Sequence, residues 1–250
     1  MYDLDKAPLE LLTLTNPKVA KGEKLGWLTA ILHFAPASLS GRDVCAYSSA
    51  GCRAACLNKS GHGGINLDAD GLNPVQVARI RRTRYLASNR EAFMVKLATE
   101  IAAHERKAIK NGLKCAVRLN GTSDLPWENL KCGKHANIMA MFPGITFYDY
   151  TKVPARIRRN VAKVPNYSLT FSLSEDNDAH ALDAIKAGLN VAVAFMVAKG
   201  QPLPAEYMGQ PVIDGDVSDL RFLDPSGSIV GLRAKGSRGK QDTSGFVRTV

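Results

Sequence analysis

Residues 176–197 read Asp176-Asn-Asp-Ala-His180-Ala-Leu-Asp-Ala-Ile185-Lys-Ala-Gly188-Leu-Asn190-Val-Ala-Val-Ala-Phe195-Met-Val197. The first half spaces its apolar residues as a helix does. Gly188 is placed to close that helix, because glycine adopts the left-handed cap conformation at no steric cost. The second half, 191–197, is continuously apolar. A strand apolar on both faces is covered on both, as in a parallel sheet flanked by helices. A helix running directly into such a strand predicts an α/β fold.

The same alternation extends outward in both directions. Strands are expected over 25–34, 114–119, 145–150 and 167–173, with shorter ones over 211–213 and 228–234. Helices are expected over 74–88, 91–110, 136–141 and 154–162. Asn111-Gly112 is suited to cap the second of these, and Pro154 suits a first turn. No glycine-rich phosphate loop of the P-loop or dinucleotide-binding kind is present. Repeated strand–helix units without that fingerprint predict a partial parallel TIM-like barrel of about six units. Three stretches follow: an N-terminal extension over 1–24, a single barrel domain over 25–234, and a basic tail over 235–250.

The chain has 250 residues and an odd number of cysteines, five, in no disulfide-scaffold spacing. That usage fits a reducing cytoplasm. The N-terminus carries no signal-peptide pattern, and no stretch is apolar over a membrane's thickness. The net charge is +10. It gathers at Arg79, Arg81, Arg82 and Arg84, at Arg156, Arg158 and Arg159, and at Lys235, Arg238 and Lys240. Such clusters either face solvent or attract phosphates. Together they lead us to expect a nucleic-acid partner. Charge alone does not separate DNA from RNA, and the sequence gives no oligomeric state.

In α/β barrels, chemistry gathers at the carboxyl ends of the strands. After the first expected strand comes Cys45-Ala-Tyr-Ser-Ser-Ala-Gly-Cys52-Arg-Ala-Ala-Cys56. Three thiols in so short a loop are candidate ligands for a metal or cluster, because thiolates are soft anionic donors. They are alternatively small buried hydrophobes, or part of a structural zinc site with His62 as the fourth ligand. Asn120, Gly121, Thr122 and Asp124 follow the second strand, and Asp149 and Lys152 the third. Ser172, Glu175 and Asp176 follow the fourth, and Asp214 and Asp216 the last.

Asp124 is a candidate general base, or else a helix cap. Asp149 lies between two tyrosines, where desolvation would raise its pKa and suit acid–base or nucleophilic work. Lys152 is its candidate partner. Glu175 and Asp176 are expected to cap the next helix. Asp214 and Asp216 are candidates for a ribose or cation, or form a plain turn. Trp127 is either a stacking platform or core.

A cysteine loop directly after the first strand of a partial barrel resembles the radical S-adenosylmethionine enzymes. Their usual spacing is three residues and then two, whereas here it is six and then three. The segment from Cys45 to Cys56, Asn120-Gly-Thr-Ser-Asp124, Tyr148-Asp-Tyr-Thr-Lys152 and Val212-Ile-Asp-Gly-Asp216 together resemble a phage protein family. The resemblance implies a barrel and a phage source but supplies no reaction.

The radical-enzyme likeness implies that Cys45, Cys52 and Cys56 hold an iron–sulfur cluster with S-adenosylmethionine. Asn120, Gly121 and Thr122 would then lie near the methionine part. With the basic clusters and polar strand ends beside the cysteine loop, the expected substrate is a nucleic-acid base, DNA being the expected polymer. A second resemblance is to phage 7-deazaguanine DNA transglycosylases. It implies Asp149 and Asp124 as nucleophile and acid–base, with zinc on Cys45, Cys52, Cys56 and His62. A non-catalytic nucleic-acid binder with structural zinc is the remaining reading.

Overall fold

The computed structural model describes residues 2–15, 17–59, 61–160 and 164–249. Its strands are β1 (Leu12–Thr13), β2 (Trp27–Leu32), β3 (Lys114–Arg118), β4 (Thr146–Thr151), β5 (Tyr167–Ser172), β6 (Val191–Phe195), β7 (Glu206–Tyr207), β8 (Gln210–Asp214) and β9 (Ile229–Arg233). The α-helices are α1 (Pro17–Glu23), α2 (Ala37–Ser40), α3 (Ala50–Ala54), α4 (Pro74–Ser88), α5 (Arg90–Lys110), α6 (Ile138–Met141), α7 (Pro154–Asn160), α8 (Asp178–Lys186) and α9 (Gly236–Lys240). The helix expected to reach residue 162 is described to Asn160; its last two residues lie outside the described ones.

All nine strands form one sheet in the order β1-β2-β3-β4-β5-β6-β9-β8-β7. From β2 to β6 each strand lies parallel beside its predecessor, and β9 and then β8 extend the parallel run to seven. This sequential order is that of barrel units rather than of a doubly wound sheet, whose order reverses. The order does not close on itself. Antiparallel β1 occupies the free edge of β2, and β8 sits beyond β9 with antiparallel β7 outside it. The fold is therefore a mixed α/β fold around an open, mostly parallel sheet.

Alternation along the strands sorts residues to two faces. Leu28, Ala30, Leu32, Val117, Phe147 and Leu169 pack with Phe93, Leu97 and Ile101 of α5. This is the helix-covered face expected of right-handed crossovers. On the other face Trp27, Ala116 and Tyr148 pack against Leu220 and Phe222, from the connection after β8. Arg118 on this face pairs with Asp219 of the same connection at 3.0 Å and lies over the Tyr150 ring. The face that a barrel turns inward is thus filled by the chain itself.

Both termini are tied in. Leu11 and Leu12 are buried, and their N–H groups donate to Glu100 at 2.9–3.0 Å. At the other end Arg248 exchanges backbone hydrogen bonds with Ala194 and Met196, each at 2.8 Å. This brings residues 242–248 back over the carboxyl ends of the strands.

Candidate functional site

The cysteine loop leaves the carboxyl end of β2. Cys45 follows α2, and its N–H donates to Asp43 at 2.8 Å. Cys52 sits in α3, whose first turn is capped by Ser49 Oγ accepting from the Cys52 N–H at 3.1 Å. A second cap comes from a distant loop. Glu175 accepts from the Gly51 N–H at 2.6 Å and from the Ser49 hydroxyl at 2.7 Å. A carboxylate at a helix N-terminus satisfies its free N–H groups. The C-terminal segment seals the other side. A Cβ on Gly51 would meet Ser244 Oγ at 2.2 Å and Phe246 Cβ at 2.7 Å, so only glycine allows this approach.

Cys45, Cys52 and Cys56 are all free and half-buried. Burial pushes the Cys45 thiol up to about 12, and Asp124, Cys52 and Cys56 add to the rise. Burial also raises Cys52; Lys152 pulls it the other way, while Cys56 and Glu175 raise it further. The three thiols therefore lie within electrostatic reach of one another. Among the described residues no three cysteine, histidine or acidic side chains are posed around one point as metal ligands. The donor set suits a soft metal, but its side chains must turn to converge. His62 is exposed, and its carbonyl accepts from Asn73.

The loop beyond Cys56 is pinned by α4. Asn58, fully buried, exchanges hydrogen bonds with Gln76, and Arg79 donates to its carbonyl and side-chain oxygens at 3.0 and 2.8 Å.

Beside the thiols stand Asp124, Lys152 and Ser172. Asp124 is not a helix cap. Its carboxylate accepts from the Lys152 N–H and from Arg156, both at 2.7 Å, joining the ends of β3 and β4 to α7. Lys152 Nζ donates to Ser172 Oγ at 2.6 Å and lies 5.4 Å from the centre of the Phe246 ring.

Asp149 lies on the helix-covered side, with no exposed surface. It accepts from the Asn120 N–H at 2.6 Å, the Asn120 amide at 3.3 Å and the Tyr167 hydroxyl at 2.7 Å. Burial pushes its carboxyl up to about 7, against the pull of Tyr167, Arg118, the Asn120 N–H and Arg156. The structure does not bring Asp149 to Lys152 in a direct pair.

Asn120 is a buried hub. Its oxygen accepts from Ser123, the Leu125 N–H and Trp127 Nε1, and its amide also donates to the Leu125 carbonyl. Trp127 is therefore core, not an exposed platform. Gly121 is required by close approach: a Cβ there would meet Ile31 Cγ2 and the Leu32 carbonyl at 2.7 Å. Thr122 Oγ1 bridges the Phe34 N–H and carbonyl.

At the far edge Asp214 pairs with Arg233 at 2.9 Å, and Asp216 with Arg233 and Lys235.

The arginine clusters are engaged within the chain. Arg81 and Arg82 donate to the carbonyls of Asp3 and Glu10, and Arg84 pairs with Asp5. Arg156 makes a bidentate pair with Glu128 at 2.8 and 2.9 Å and also reaches Tyr167. Arg158 and Arg159 lie in α7, and their side chains are outside what the structure describes.

Two residues at the rim have places that the sequence does not show. Glu175 reads as a cap for the helix after it and instead caps α3. Phe246 sits in a tail with no periodicity, so nothing local marks it.

A protein-family model described as Gene product 88 matches residues 10–250. Comparisons with curated proteins and with solved structures gave no match.

Proposed function

The chain belongs to the Gene product 88 family of phage proteins, and we propose that it is an enzyme with a three-cysteine iron–sulfur site on Cys45, Cys52 and Cys56. The observation that supports this is the position of the thiols. They follow the first strand of a parallel run whose first five strands stand in chain order, at the carboxyl rim, within electrostatic reach of one another. A cluster with S-adenosylmethionine supplies radical chemistry when bound. This chain's contribution is positional. Glu175 and Ser49 fix the helix of Cys52, α4 fixes the loop after Cys56, and Asp124 locks the neighbouring strand ends.

A nucleic acid, DNA foremost, is the proposed substrate. The net charge of +10 supports it. Arg79, Arg81, Arg82, Arg84 and Arg156 add less, because their guanidinium groups are held by internal oxygens. Base exchange through Asp149 is less favoured, since that carboxylate is sealed from any substrate.

The reading is tested by reducing the anaerobically purified protein with dithionite in the presence of S-adenosylmethionine. Cleavage of the cofactor by the wild type and none by Cys52→Ala is expected. Equal turnover by both would reject it.

A further inference from the structure

Lys152 and Ser172 stand side by side at the rim because the β4–β5 register pairs Thr151 with Phe171. Both continue the strand parity of Tyr148 and Tyr150, away from the helix-covered core. The ammonium has three N–H donors. One goes to Ser172 at 2.6 Å. Among the described residues no carboxylate is paired with Lys152 Nζ within 4 Å, and two rim carboxylates, Asp124 and Glu175, are engaged elsewhere. Asp124 is held by the Lys152 N–H and Arg156, and Glu175 by Gly51 and Ser49. Ser172, accepting from Lys152, keeps its own proton to donate.

Phe246 closes the arrangement. Its ring lies 5.4 Å from Lys152 Nζ, and its place is set by Gly51 below and by the backbone bonds of Arg248 beyond. A half-buried cation with two further N–H donors, a hydroxyl beside it and an aromatic wall can offer charge-assisted hydrogen bonds to an anion.

We propose that Lys152, Ser172 and Phe246 form a binding site for the oxyanion of a substrate, a phosphate or a carboxylate. The ammonium and hydroxyl hold the anion, and the C-terminal segment completes the wall. The inference rests on the enzyme reading above but does not depend on the cluster.

The test is thermal stabilisation by inorganic phosphate and, separately, by acetate, at constant ionic strength set with chloride. Ligand that binds only the folded chain raises its melting temperature. The full-length wild type is expected to respond to one of the two. Lys152→Met should need at least tenfold more anion for the same shift, and Ser172→Ala an intermediate amount. Lys199→Met, at an exposed position, should match the wild type. A stronger phosphate response marks a nucleotide-type substrate; a stronger acetate response marks a carboxylic acid. No response to either anion, or equal responses in wild type and both Lys152→Met and Ser172→Ala, overturns the proposal. Absence of S-adenosylmethionine cleavage by the wild type, with its anion binding intact, would instead reject only the cluster reading.

Discussion

The Glu175 carboxylate and the Gly51 N–H meet at 2.6 Å across 124 residues of chain. This bond, with its companion to Ser49, fixes the helix that carries Cys52. Replacing Glu175 with Ala leaves a helix N–H and a hydroxyl unpaired in a half-buried place. The expected cost is about 1–3 kcal/mol, read from the urea midpoint, with faster alkylation of Cys52. Glu175→Gln, which keeps one acceptor, should fall between. An unchanged midpoint and alkylation rate in the Ala variant would show that α3 is held by something else.

Gly51→Ala attacks the same helix from its other side. The new methyl meets Ser244, Phe246 and Glu175 at 2.2, 2.7 and 2.9 Å. The C-terminal segment must shift, at a cost of about 1–3 kcal/mol, typical of overpacking. Limited proteolysis should then remove the last residues of the variant before those of the wild type. Identical cleavage patterns would contradict the contact.

Arg156 is nearly enclosed and neutralises Glu128 and Asp124 together. Arg156→Met removes the bidentate guanidinium that the buried Glu128 carboxylate shares with Asp124, and breaking such a pair costs about 3–5 kcal/mol. Arg156→Lys should also destabilise, because an ammonium cannot reproduce the bidentate fork. Chemical denaturation of both variants checks this. A Lys variant as stable as wild type would deny the fork its role.

Asp149 gives the fold a pH dependence of definite sign. Its carboxyl is raised from 3.8 to about 7 by burial, so between those values the folded chain keeps a proton that the unfolded chain releases. Its contribution to stability is fully present below the unfolded value and is lost as pH rises through the folded one. The slope approaches roughly 1.4 kcal/mol per pH unit. Asp149→Asn, uncharged throughout, should flatten that part of the stability curve. A variant curve parallel to the wild type's between pH 4 and 7 would exclude the assignment.

What the sequence reveals and what it hides divide along a physical line. The helix over 74–88 is marked by its own residues, Asn73 at the cap and Pro74 in the first turn, and it forms at those bounds. The apolar run after Asn190 announces a buried parallel strand, and β6 lies there between β5 and β9. Other features depend on partners far along the chain. Leu12–Thr13 becomes a strand only because the edge of β2 is free. The placement of β8 beyond β9, which leaves the sheet open, has no local signal.

The candidate site divides in the same way. Side-chain type marks the thiols, Asp124 and Lys152 as chemically able. Type does not reveal that Asn120 and Asp149 satisfy each other internally, or that Arg81 and Arg82 aim at carbonyls near the N-terminus. The carboxyl of Asp149 is raised by burial on the helix-covered face, whereas its neighbours Tyr148 and Tyr150 lie on the opposite face, which residue type alone does not reveal.

The most direct test of the central claim is iron and acid-labile sulfide analysis, with a visible spectrum, on protein purified without oxygen. The account predicts brown protein that contains iron and sulfide in equal amounts and bleaches with dithionite, and colourless protein when Cys45, Cys52 and Cys56 are replaced by Ala. Wild-type protein that is colourless and free of iron, or that carries zinc alone, would contradict it.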